Sequence, residues 1–224
     1  MGMAAPIPMP TDTAALLTLA QWLSPSYPVG AFSYSHGLEW AVECGDVSDA
    51  PSFQGWLTDI LTHGSGQSDA ILLATAYGAS DAATIAEIDA TARALAPSRE
   101  RLMETTLQGT AFAILTSDIW PAPLSDLCYP VAIGAAARML GLPLGETLAM
   151  YLHAFAGNLT SAAIRLVPLG QTEGQAALAA VAPLCETLAI TAQTQTLDDI
   201  GSCCFAADIA SMKHETQYSR LFRS

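Results

Sequence analysis

The sequence predicts an all-α fold, a single helical-bundle domain of about eight to ten helices with a flexible N-terminal arm and a C-terminal tail. Three observations predict it. Runs that alternate Val, Ile, Thr or aromatic residues with polar ones are nearly absent, so strands have little to form from. Ala and Leu abound instead at helical spacing. Gly and Pro punctuate these runs and mark short connections, as antiparallel helical neighbours require.

In chain order, residues 1–12 read as a disordered arm, 13–196 as the helical domain and 197–224 as a C-terminal partner-binding segment. Leu16, Leu17, Ala20 and Leu23 mark a first short helix that ends before Pro25. After an irregular bend over 24–32, Leu38, Ala41 and Val42 suggest a second. Ser48 or Asp49 caps a third, with Pro51 in its first turn. Its Phe53, Trp56, Leu57, Ile60 and Leu61 form a buried stripe. Further helices are expected at roughly 68–79, 82–96, 98–118, 128–140, 144–167 and 173–194, with Thr172 and Gln175 as a capping box. The segment 197–224 is more polar and ends in HETQYSRLFRS.

The 224 residues suffice to bury a real core. Hydrophobic residues make up 51% and charged ones only 13%, so charge cannot cover the whole surface. Part of it is expected to be apolar and covered by a partner or a second copy. The net charge of −13 argues against nucleic acid, whose phosphates need a basic face, and against anionic lipid. A basic or metal-carrying partner suits it better.

The five cysteines are odd in number, scattered and without a C-x-x-C, which points to a reducing cytoplasm. The N-terminus lacks a basic region and carries three prolines, so no secretory signal is read there. The most apolar stretch, 127–144, contains Arg138 and two prolines, so no membrane span is expected.

Candidate chemistry is thin. Ser33-Tyr34-Ser35-His36-Gly37 falls one residue short of a G-x-S-x-G nucleophile elbow, but no strand precedes it. None of His36, His63, His153 and His214 pairs with a second His or Cys at metal-ligating spacing. The nearest groupings are Cys203-Cys204 and His214-Glu215. Lys213 is the only lysine and there is no phosphate-binding loop, so nucleotide chemistry would belong to another protein.

Two regions stand apart. In SPSYPVGAFSYSHGLEW (24–40), prolines stiffen the backbone, Gly30 lets it bend, and Tyr27, Phe32, Tyr34 and Trp40 supply rigid rings suited to interfaces. The plainer reading is that such rings plug the core. It stands at least level for Tyr34 and Trp40, whereas Phe32, on the bend itself, is expected outside. In the tail, Tyr218, Arg220, Leu221, Phe222 and Arg223 combine the residue types that dominate binding hot spots. Leu221 and Phe222 should dock, on a partner or back on their own helices.

SPSYPVGAFSYSHGLEWAVECGDV near the start and ASMKHETQYSRLFRS at the end, with WLTDIL and YLHAFAGNLTSAAIRLVPLGQTEGQ between, resemble the UreF family of urease accessory proteins. The resemblance spans residues 13–224. It implies an all-α protein that tends to dimerise, is not an enzyme, and needs no cofactor. It further implies a scaffold that bridges UreD (UreH in some bacteria) and the GTPase UreG for GTP-dependent nickel insertion into apo-urease, its tail ordering on meeting UreD/UreH.

The family's bend aromatic and terminal Arg, which recruit the G protein, correspond to Phe32 and Arg220. The candidate partner-binding residues are therefore Phe32, Tyr34, His36, His214, Glu215, Tyr218, Arg220, Leu221 and Phe222, with no catalytic and no metal residues. The alternatives are a nickel carrier using Cys203, Cys204 and His214, and a helical enzyme using Ser33, Ser35 and His36.

Overall fold

A computed structural model describes residues 12–201 and 203–224. The expected arm over 1–12 lies outside these, except for Asp12, which opens the first helix. Ten α-helices make up the described chain, and no strand occurs among the described residues. They are α1 (Asp12–Trp22), α2 (Leu38–Glu43), α3 (Ala50–His63), α4 (Ser65–Gly78), α5 (Ala82–Ala94), α6 (Arg99–Ile119), α7 (Tyr129–Met139), α8 (Leu144–Leu166), α9 (Gln171–Ala192) and α10 (Phe205–His214). Single 3-10 turns lie at Ala31–Ser33 and Leu197–Asp199.

Local chemistry explains the boundaries. Asp49 caps α3 by accepting the Ser52 amide at 2.9 Å, and Ser52 Oγ accepts the Asp49 amide in return. Phe53, Leu57, Ile60 and Leu61 are buried as the stripe requires, with Trp56 half-buried beside them. At α9 the reciprocal cap is not Thr172 with Gln175. The helix starts two residues earlier, and Glu173 Oε2 reaches back to the Gly170 amide at 2.9 Å. Thr172 already lies inside the helix, so its hydroxyl is not at a capping position.

The most apolar stretch of sequence becomes the centre. Every residue from Pro130 to Ala137 on α7 is buried, between α4 and α6. The first turn of α7 is tied by the buried Asp89 of α5, whose Oδ1 accepts the Cys128 amide at 2.6 Å. The long helices α8 and α9 pair with one another and close the other side against α3 and α4. By length and composition alone α9 could cross a membrane, but Gly174, Ala177, Val181, Cys185 and Ala189 are buried along one side of it. α10 lies across α2 and the start of α6, so residues far apart in sequence meet at one end of the bundle.

Candidate functional site: where the aromatic bend meets the tail

The bend is built from its backbone outward. Tyr27 turns inward and shares a hydrogen bond with Thr116 Oγ1 at 2.8 Å. Gly30 then takes φ +76°, a left-handed conformation that a side chain would resist, and the 3-10 turn that follows lifts Phe32 into solvent at 66% exposure. Tyr34 points back and is buried. His36 and Gly37 both have positive φ, 56° and 78°, and swing the chain into α2. Gly37 also meets α10 closely: a Cβ there would lie 2.6 Å from the Ser211 nitrogen.

The tail returns to this bend. The Arg223 amide donates to the Ser33 carbonyl at 2.8 Å, and the Ser35 amide donates to the Ser224 carbonyl at 2.7 Å. Ser35 Oγ donates to that same carbonyl. Phe222 is buried beneath Arg165 of α8, whose guanidinium carbon stands 4.5 Å over the ring. Arg165 Nη1 also donates to the Phe32 carbonyl at 3.5 Å. Residues about 190 positions apart in sequence therefore form one continuous surface.

The first turn of α6 is the platform for both. Ser98 caps it through the Arg101 amide at 3.1 Å and shares a 2.6 Å contact with Ser211 of α10. Glu215 Oε1 accepts the Arg99 amide at 2.7 Å, placing a carboxylate on the positive end of the helix. Glu100 contacts His214 Nδ1 and accepts from Arg220 Nη1, both at 2.7 Å. Arg101 pairs with Glu104, which also meets His36 Nε2 at 2.7 Å and accepts from Ser224 Oγ at 2.7 Å.

These charges are buried, and their environment sets their state. Burial works to raise the Glu104 carboxyl, but the Arg101 charge and His36 outweigh it and hold Glu104 at about 2. Burial, then the Arg101 charge, lowers His36 against the opposing pull of Glu104. Burial and then Glu104 push the Tyr34 phenol up. A cleft of about 680 Å³ opens beside the network, with Phe32 at its lining and Asp69 and Tyr151 inside. The Tyr151 hydroxyl donates to Asp69 Oδ2 at 2.8 Å, and burial raises Asp69 to about 6.

A carboxyl raised in the folded state binds its proton first as pH falls, so charging it costs stability as pH rises from the ordinary value of 3.8 through 6. Asp69→Asn keeps an acceptor for Tyr151 and removes that cost. Melting curves should show the variant stabilised at pH 8 by ~1–3 kcal/mol, the gain vanishing below about pH 4.

The candidate residues thus fall into two groups. Phe32, Tyr218, Arg220 and Leu221 face outward. Tyr34, His36, His214 and Phe222 are buried in this conformation, and Glu215 caps α6. Sequence reasoning missed Glu39, Arg165, Glu100, Arg101 and Glu104. One signal was available: Arg99, Glu100, Arg101 and Glu104 crowd into six positions of a charge-poor chain, yet Glu100, Arg101 and Glu104 are buried.

The groupings named for other chemistries are otherwise engaged. Ser35 Oγ is bonded to the tail, whereas His36 turns to Glu104, and among the described residues no hydrogen bond joins Ser35 to the His36 ring. His214 lies between Glu39 and Glu100, Cys203 is exposed and Cys204 is buried. Among the described residues no group of three or more His, Cys, Asp or Glu is placed to hold a metal ion.

The fold and site define an all-α bundle whose distinctive residues gather where its end folds onto an aromatic bend near its start. A family model described as UreF matches residues 47–182. The urease accessory protein UreF of Ruegeria pomeroyi is 55% identical, over 93% of this chain and 96% of its own. That of Roseobacter denitrificans is 57% identical, over 95% and 96%, and that of Cereibacter sphaeroides (strain KD131) 54%, over 95% and 100%. The chain belongs to the UreF family of urease accessory proteins.

Proposed function

We propose that this protein is a non-enzymatic cytoplasmic scaffold that bridges UreD/UreH and the GTPase UreG during GTP-dependent nickel insertion into apo-urease, working as a homodimer. The bend–tail junction is the surface that takes the GTPase. The observation that carries this reading is the meeting of Phe32 and the Arg220 segment on one face, each with exposed anchor atoms. Phe32 offers a protruding ring to an apolar pocket. Among the described residues only Nη1 of Arg220 has a protein partner, Glu100, so the rest of the planar fork is open to a carboxylate or backbone carbonyl. Arg165, Arg220 and Arg223, three of the chain's eight basic residues, collect here on an otherwise acidic protein, which favours an acidic partner surface.

Affinity of the complex with UreD for UreG, measured by titration calorimetry, tests this. Phe32→Ala and Arg220→Ala should each weaken it at least ~10-fold, with helical circular dichroism unchanged. Wild-type affinity in both variants would refute the assignment of this surface.

A further inference from the structure

The outward anchors of the tail have no helix of their own to hold them, yet one buried side chain addresses this segment at three points. Glu39 of α2 is 8% exposed. Its Oε1 accepts the Leu221 amide at 2.6 Å and its Oε2 accepts the Phe222 amide at 2.9 Å. Oε2 also stands 3.3 Å from His214 Nε2. A carboxylate is an acceptor at both oxygens, and consecutive backbone amides aimed at it form a charge-assisted pair. From His214 the contacts continue through Glu100 to Arg220, 2.7 Å at each step. Both routes out of Glu39, one through the backbone and one through His214, flank Arg220.

We propose that Glu39 is the positioning residue of the partner-binding surface: it clamps the Leu221–Phe222 backbone and, through His214 and Glu100, sets where Arg220 points. The inference rests on the recruitment reading given above and adds the part that orients its anchor. Glu39 touches no partner itself; it acts through the tail. α2 is six residues long and its sequence, LEWAVE, gives no other reason to bury a carboxylate.

Two variants remove the same hydrogen bonds from opposite sides. Glu39→Gln keeps shape but replaces one acceptor by an NH₂ that faces an N–H donor. Leu221→Pro leaves α2 intact and deletes the Leu221 N–H. On the full chain, chymotrypsin cleavage after the exposed Tyr218, followed by mass spectrometry, reads the clamp, because the protease must draw the residues following Tyr218, Leu221 among them, into its groove in extended form. Both variants should be cut at least ~10-fold faster than wild type while melting with the wild-type core. Both should weaken binding of the UreD complex to UreG at least ~10-fold.

Wild-type cleavage rates in both variants overturn the clamp. Faster cleavage with undiminished UreG affinity, where Arg220→Ala does lose affinity, overturns the positioning role alone. Faster cleavage with neither these variants nor Arg220→Ala affecting UreG overturns the recruitment reading instead, and with it any role for Glu39 beyond holding the tail.

Discussion

Replacing Arg101 by methionine is expected to destabilise the protein by about 3–5 kcal/mol, the range for breaking a buried ion pair by removing one partner. Arg101 is 8% exposed and pairs with Glu104, which is buried too and shared with His36 and Ser224. Methionine fills similar volume, so lost packing is a small part of the effect. The loss comes from a carboxylate left in low dielectric without its cation. Thermal melts should fall by roughly 6–20 °C, taking about 2–4 °C per kcal/mol for a chain of this size.

The pH dependence supplies a second readout. Because Glu104 is held at about 2, its contribution is fully present above its ordinary value of 4.5 and is lost as pH falls toward 2. Without Arg101 that acid limb should flatten. Adding Glu104→Leu to Arg101→Met should recover part of the stability, since removing both members of a buried pair is far milder than removing one. A single-variant loss below 1 kcal/mol would mean the network is not the buried ion cluster described here.

The second large effect is expected from Gly37→Val. Position 37 has φ +78°, which costs a side chain ~1–2 kcal/mol, and the added Cβ would press on the Ser211 nitrogen and the Ala210 carbonyl carbon of α10. The two helices must separate. Hydrogen exchange should show amides of 205–214 losing protection by at least ~10-fold, while α4 and α7 keep theirs. The tail, which follows α10, should be released with it. Intact protection in α10 would show that the close approach is not what seats that helix.

Much of the bundle was legible in the sequence because helix starts and stops are local. Asp49, Pro51 and the Phe53–Leu61 stripe define α3 with no help from the rest of the chain. α7 was legible as an apolar run with Pro130 in its first turn. The exposure of Phe32 followed from Gly30 and the prolines beside it. What the bend and tail do to one another was not legible. Glu39 is a carboxylate in a short helix, and such residues usually face water; its three contacts come from 175 to 183 positions away. Phe222 read first as an anchor for a partner and second as one for its own chain, and Arg165, which covers it, sits in the last turn of α8 like any helix-terminal cation.

Bend and tail are proposed to act as a single recognition surface. A double-mutant cycle on UreG affinity tests it most directly, using Phe32→Ala, Arg220→Ala and the pair in complex with UreD. If the two anchors work as a unit, the double variant should bind scarcely worse than the poorer single one, giving a coupling energy above ~1 kcal/mol. Losses that simply add, within ~0.5 kcal/mol, would show two independent contacts and contradict the account.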